Sequence, residues 1–116
     1  MRRVELAGWT LEIPETHAER ARGLLGRDGL DPTHALVLAR CRSVHTIGMR
    51  FPIDAVLFDG AWAFVGVREL PPGKMAWPRH RVRHIVEVAA GRGDELSASL
   101  DGRRIRDALG SGRRRT

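Results

Sequence analysis

Residues 51–67 read FPIDAVLFDGAWAFVGV, and the fold turns on how this stretch pairs with itself. Asp59-Gly60 is a hairpin signal, because a two-residue turn that matches strand twist needs positive φ, which Asp-Gly accepts. Two apolar runs flank it, Ile53 to Phe58 and Ala61 to Val67. With a two-residue loop, Phe58 faces Ala61, Leu57 faces Trp62 and Ala55 faces Phe64. Ile53, Ala55, Leu57, Trp62 and Phe64 then line one side, and Val56, Phe58, Val65 and Val67 the other. Both sides are apolar, so the hairpin is predicted to be central and covered on both faces.

Directly upstream, Cys41 to Arg50 reads CRSVHTIGMR and crowds reactive and polar side chains together. Cys41, His45, Thr46, Met49 and Arg50 lead into Asp54, which sits inside the apolar run. An ionised carboxylate buried in a strand costs several kcal/mol, roughly 2–7 for polar burial and more for a charge, unless it is bonded or paired. Asp54 therefore has a function or caps backbone N–H groups after Pro52. These six residues, Cys41, His45, Thr46, Met49, Arg50 and Asp54, form the candidate ligand site.

Outward from this centre, Val4 to Leu6 and Trp9 to Ile13 read as strand pieces separated by Ala7-Gly8. Pro14 ends the second. Thr16 as N-cap with Glu19 three residues on gives a capping box, and Ala18, Ala21, Leu24 and Leu25 supply an apolar helix face that Gly26 stops. This short N-terminal helix is the clearest one. Ala35 to Ala39 is a buried strand that delivers the chain to Cys41. Downstream, Leu70-Pro71-Pro72-Gly73 opens a loop, and Val82 to Val88 resumes a strand with Val82, His84, Val86 and Val88 on one face. Asp94 to Ala98 suits one helical turn, and Asp101-Gly102 a second hairpin turn. The prediction is mainly β: a compact barrel-like or sandwich antiparallel sheet with one short helix. A single domain should span residues 1–105, and residues 106–116 should form a basic, disordered tail.

The formal charge of +6 owes half its value to Arg113, Arg114 and Arg115. A basic chain binds nucleic acid weakly whatever its task, and with no tyrosine, three Phe and three Trp there is no evident stacking platform. The run Arg79-His80-Arg81-Val82-Arg83-His84 puts three arginines on one strand face, which serves equally as a charged, aggregation-resistant edge. Cys41, His45, His80 and His84 share four-residue spacings, but their arginine-rich surroundings disfavour a cation, so no metal and no cofactor are expected. Cys41 beside His45 also suggests a thiol nucleophile, although a lone cysteine after an apolar strand is more often a small core residue. One cysteine and no apolar run of about 18 residues lead to the expectation of a cytoplasmic chain with no membrane partner.

The order ARGLLGR, HALVLARCRSVHTIGMRFPIDAVLFD and IVEVAAG resembles the bacterial domain-of-unknown-function 192 family. The matching positions are Gly23 to Arg27; Met49, Pro52, Ile53, Asp54, Phe58 and Asp59; and Val86, Glu87 and Gly91. The resemblance runs over roughly residues 9 to 102, implies a compact β-rich domain and carries no reaction with it; the VHTIGMRFPID form is similar to the cytoplasmic branch. The reading is a non-enzymatic module that binds a small ligand or an acidic protein segment. An enzyme using Cys41/His45 or Asp54 stands second, and weak nucleic-acid binding through the arginine strand and tail third.

Overall fold

The computed structural model describes residues 1–77 and 81–111. In chain order the elements are β1 (Arg2–Leu6), β2 (Trp9–Ile13), α1 (His17–Arg22), β3 (His34–Leu38), β4 (Val44–His45), β5 (Ile53–Phe58), β6 (Phe64–Leu70), β7 (Met75–Ala76), β8 (His84–Ala89), α2 (Gly93–Ser99) and α3 (Gly102–Ser111). Six strands form one sheet in the order β1-β2-β3-β8-β5-β6, and β4 and β7 pair separately.

The β-rich class holds, and the sheet is open and mixed rather than a closed antiparallel barrel. Its edges are β1 and β6. The parallel pair is β2–β3. A parallel neighbour needs a crossover of a dozen or more residues, and Pro14 to Thr33, including α1, provides it. The capping box forms in both directions: Glu19 N donates to Thr16 Oγ1 at 3.1 Å, and the Glu19 carboxylate accepts from Thr16 N. Gly23 ends the helix, so Leu24 and Leu25 pack from the loop beyond it.

The central hairpin exists in a different register. Phe58 pairs with Phe64 and Leu57 with Gly66 across a bulge, which leaves Asp59 to Ala63 as the loop. Asp59 closes it through its side chain, Oδ1 accepting from the N–H groups of Ala61 and Ala63, both at 2.9 Å. This carboxylate bridge favours the longer loop over the two-residue turn. Every residue of β5 is buried, but β6 is a partly exposed edge, so only half of the hairpin is central.

Strand alternation splits the core in two. On one face Trp9, Leu11, Val37, Val56, Phe58, Val86 and Val88 pack against Leu96, Leu100 and Ile105 of α2 and α3. On the other, Leu36, Ile53, Ala55, Leu57 and Ile85 meet Leu24, Val44, Met49, Phe51 and Ala76. Val82 belongs to this second cluster, not with Val86 and Val88.

Two helices close the chain where one turn and a hairpin are predicted. Asp101 Oδ1 accepts from Arg103 N at 2.8 Å, and its carbonyl accepts from Arg104 and Ile105, so Asp101-Gly102 starts α3 instead of a hairpin. Gly102 is needed there because a Cβ would lie 2.1 Å from the Trp62 carbonyl oxygen. Ile105, Ala108 and Leu109 continue the contact with the sheet, so the boundary predicted at residue 106 falls inside a packed helix. Arg2 holds its far end, donating to the carbonyls of Ala108 at 3.3 Å and Leu109 at 2.6 Å. Of the predicted tail, residues 112–116 lie outside the described residues, as do Arg79 and His80 of the arginine run. No helix among the described residues is long and apolar enough to cross a membrane.

Candidate functional site

Of the six sequence-predicted site residues, three come together. Cys41, His45 and Met49 line one pocket of about 150 Å³ beside Leu24, Leu38 and Glu87. Gly48 shapes this wall: its φ of +85° suits glycine, and a Cβ there would stand 3.2 Å from Leu25 Cδ2.

The other three are engaged elsewhere. Thr46 is fully buried and ties down the loop after β6: Oγ1 donates to the Pro71 carbonyl at 2.5 Å and accepts from Lys74 N at 2.9 Å. Arg50 is exposed and pairs with Asp28 at 2.5 Å. Asp54 points to the opposite sheet face, where Oδ2 accepts from Gly91 N at 3.0 Å and Gly93 N at 2.9 Å. It caps backbone N–H groups, but those leading into α2 rather than those after Pro52. A Cβ on Gly93 would lie 2.6 Å from Val67 Cγ1 and 3.0 Å from that same oxygen, so the approach requires glycine.

The residue that sequence reasoning missed is Glu87. It lies on β8 beside Ile85 on the second-core face, in register with Leu36 and Ala55. It is 5% exposed, and no hydrogen bond to its carboxyl occurs among the described residues. Burial alone pushes its pKa up to about 7. The signal was present in HIVEVAA: the cost argument applied to Asp54, a carboxylate inside an apolar strand, applies equally to this glutamate.

Neighbouring groups refine the chemistry. The Cys41 thiol donates to the Ser43 carbonyl at 3.0 Å. Burial raises its pKa; the Ser43 contact lowers it less, the Glu87 charge raises it further, and Arg20 lowers it slightly. A raised thiol is the reverse of what an activated nucleophile needs. Glu12 on β2 offers a third buried acid for comparison. Burial pushes its pKa up, but Arg27 at 2.7 Å and His34 Nδ1 at 2.7 Å outweigh that and hold it below its usual value. That triad anchors the loop carrying Leu24 and Leu25. Among the described residues no cluster of three or more His, Cys, Asp or Glu is placed to hold a metal.

The model of the DUF192 family, "Uncharacterized ACR", matches residues 2–105. No curated protein matches the chain. A proposed transcription regulator from Sinorhizobium meliloti 1021 has a similar structure, with TM-score 0.65 and 19% identity over 81% of this chain and 78% of that one. A protein of unknown function from Novosphingobium aromaticivorans DSM 12444 is similar too, with TM-score 0.64 and 16% identity over 82% and 75% of the two chains. At such identities the likeness concerns the fold alone.

Proposed function

The chain belongs to the DUF192 family, and on that footing we propose that it is a non-enzymatic binding module whose Glu87 pocket receives a small ligand bearing a hydrogen-bond donor. One observation carries this reading: a buried carboxyl beside a pocket, with no hydrogen-bond partner among the described residues. A donor on the ligand would give this carboxyl a hydrogen bond worth on the order of 0.5–1.5 kcal/mol, more when the carboxyl is ionised. A neutral amide or hydroxyl suits it better than an amine, because Arg20 and Arg22 also line the pocket and disfavour a cation. A carboxylate at the same place does not, which favours a small ligand over an acidic protein segment. The walls, Leu24, Leu38 and Met49, would hold an apolar body. A cavity of about 150 Å³ accepts a benzene-sized guest.

The raised thiol of Cys41 and the engagement of Asp54 with the α2 amides weaken the support for an enzyme built on either of those two residues. The test is a backbone-amide NMR titration with isobutyramide, a neutral donor, using xenon as the apolar probe. Isobutyramide should shift the amides of Leu24, Cys41 and Glu87 above about pH 7, and Glu87→Gln should weaken it about tenfold, the worth of one hydrogen bond to a charged group. Entry of xenon without any response to the amide would mark an apolar void and sink the reading.

A further inference from the structure

A second cavity, distinct from the Glu87 pocket, runs between α3 and the end of the sheet where β3 stops and β8 starts. It encloses about 710 Å³, and Arg2, Arg20, Arg40, Arg106, Trp62 and His84 are among its lining residues. A recess formed by Arg40, Arg42, Gly60, Arg83 and His84 adjoins it. Glu15 lines the groove, where it pairs with Arg2 at 3.4 Å, and the Asp59 carboxylate acts on His84 at its wall. Among the described residues Arg20, Arg40 and Arg42 have no carboxylate partner; Arg20 donates to the Ala39 carbonyl at 2.8 Å.

The wall is built firmly. The His84 ring stacks on Trp62 with centroids 4.0 Å apart and planes 5° from parallel. Its Nδ1 accepts from Arg40 N–H at 2.9 Å, which places the neutral ring's proton on Nε2, towards the Gly60 carbonyl. Arg40 and Trp62 hold φ of 54° and 64°, a left-handed conformation costing each roughly 1–2 kcal/mol. Strain of this kind, gathered with like charges that repel, persists where the surrounding structure enforces it and is common at ligand sites.

We propose that this groove binds the phosphate group of a compact phosphorylated ligand, with Arg40 and Arg42 as its principal anion contacts. Guanidinium forks match phosphate oxygens in pairs, and an anion relieves the repulsion among the arginines. The groove's basic recess, with no row of aromatic platforms among the described residues, suits one or two phosphates better than a long nucleic-acid strand.

Calorimetric titration of the full chain at low salt tests this with inorganic pyrophosphate, adenosine diphosphate and a short single-stranded oligonucleotide. Pyrophosphate and the nucleotide should bind, and Arg40→Ala with Arg42→Ala should weaken both at least about tenfold. Arg40→Gly with Arg42→Ala should do the same while accepting the positive φ, which covers a folding failure of the first variant. Arg3→Ala with Arg68→Ala removes equal charge elsewhere and should cost less than about twofold. Arg20 is left intact because it lines both cavities. Equal losses in both pairs of variants would assign the effect to net charge and overturn the site. Binding of the oligonucleotide alone, or of none of the three probes, would overturn it as well.

Discussion

Asp54 and Glu87 are acids on adjacent central strands, one register step apart, yet they face opposite cores. Asp54 pairs with Val88 and Ala55 with Glu87, so alternation sends the two carboxyls to different sides of the sheet. Asp54 meets two backbone amides through Oδ2, while its buried Oδ1 has no partner. Glu87 shares its pocket with leucines, a methionine and a thiol, and with Arg20, Arg22 and His45, none of which bonds to it among the described residues. The difference teaches how a buried acid is to be read. One bonded to the backbone of its own fold is architecture, and one facing a cavity unbonded is a place for something else to bind.

The largest expected effect comes from breaking the architectural member. Asp54→Ala strands two amide donors at the α2 start and should destabilise the fold by about 4 kcal/mol, at roughly 1–3 for each orphaned buried group. Asp54→Asn keeps one oxygen for the amides but sets an NH2 where Oδ1 now lies unpartnered, so its loss should be smaller. Urea unfolding monitored by tryptophan fluorescence measures both. A harmless Asp54→Ala would erase the contrast, because it would show that the cap contributes no stability.

Glu87 should respond to pH in the opposite sense to an ordinary paired carboxylate. Its folded pKa of about 7 exceeds the usual 4.5, so between those values the folded state binds more protons than the unfolded state. Stability contributed by the neutral acid is therefore full below about pH 4.5 and is lost as pH rises through about 7. The shift corresponds to a loss on the order of 3 kcal/mol. Glu87→Gln should flatten this limb of the stability curve. Glu12, whose pKa is lowered in the folded state, contributes on the other limb, where stability falls as acid protonates it. Unfolding curves for Glu87→Gln and the parent chain, taken at pH 5 and pH 8, should diverge in their pH dependence. Identical slopes would mean that Glu87 is not the buried, unbonded acid described here.

These two acids also mark how far the sequence could be read. Alternation made β2 legible, short apolar runs made β3 and β5 legible, and a capping box made α1 legible, because each signal lies within a few neighbouring residues. The hairpin loop was not, since its length is decided by Asp59 bonding back to Ala61 and Ala63. Nor were α2 and α3 legible at full length, for short helices draw their stability from packing, here through Leu96, Leu100 and Ile105. The candidate site was half legible. Cys41, His45 and Met49 do share a wall, but Thr46, Arg50 and Asp54 are close to them only along the chain. Glu87 arrives from β8 through a pairing with β5 that no local pattern announces.

The smallest expected effect is on Cys41, and it tests whether the thiol and Glu87 share one environment. Burial keeps the thiol protonated, so alkylation by iodoacetamide at pH 8 should run slower than for an unhindered peptide thiol. At that pH Glu87, with a pKa of about 7, carries most of its charge and opposes thiolate formation beside it. Glu87→Gln removes the charge while keeping the shape of the side chain. The alkylation rate should then rise by about threefold, the scale of one neighbouring charge in a partly screened pocket. Alkylation of the parent chain faster than the peptide thiol would restore Cys41 as a nucleophile and move the enzyme reading ahead of the binding module. A rate unchanged by Glu87→Gln would separate the two groups, and the pocket would lose the acid that distinguishes it from the Asp54 side of the sheet.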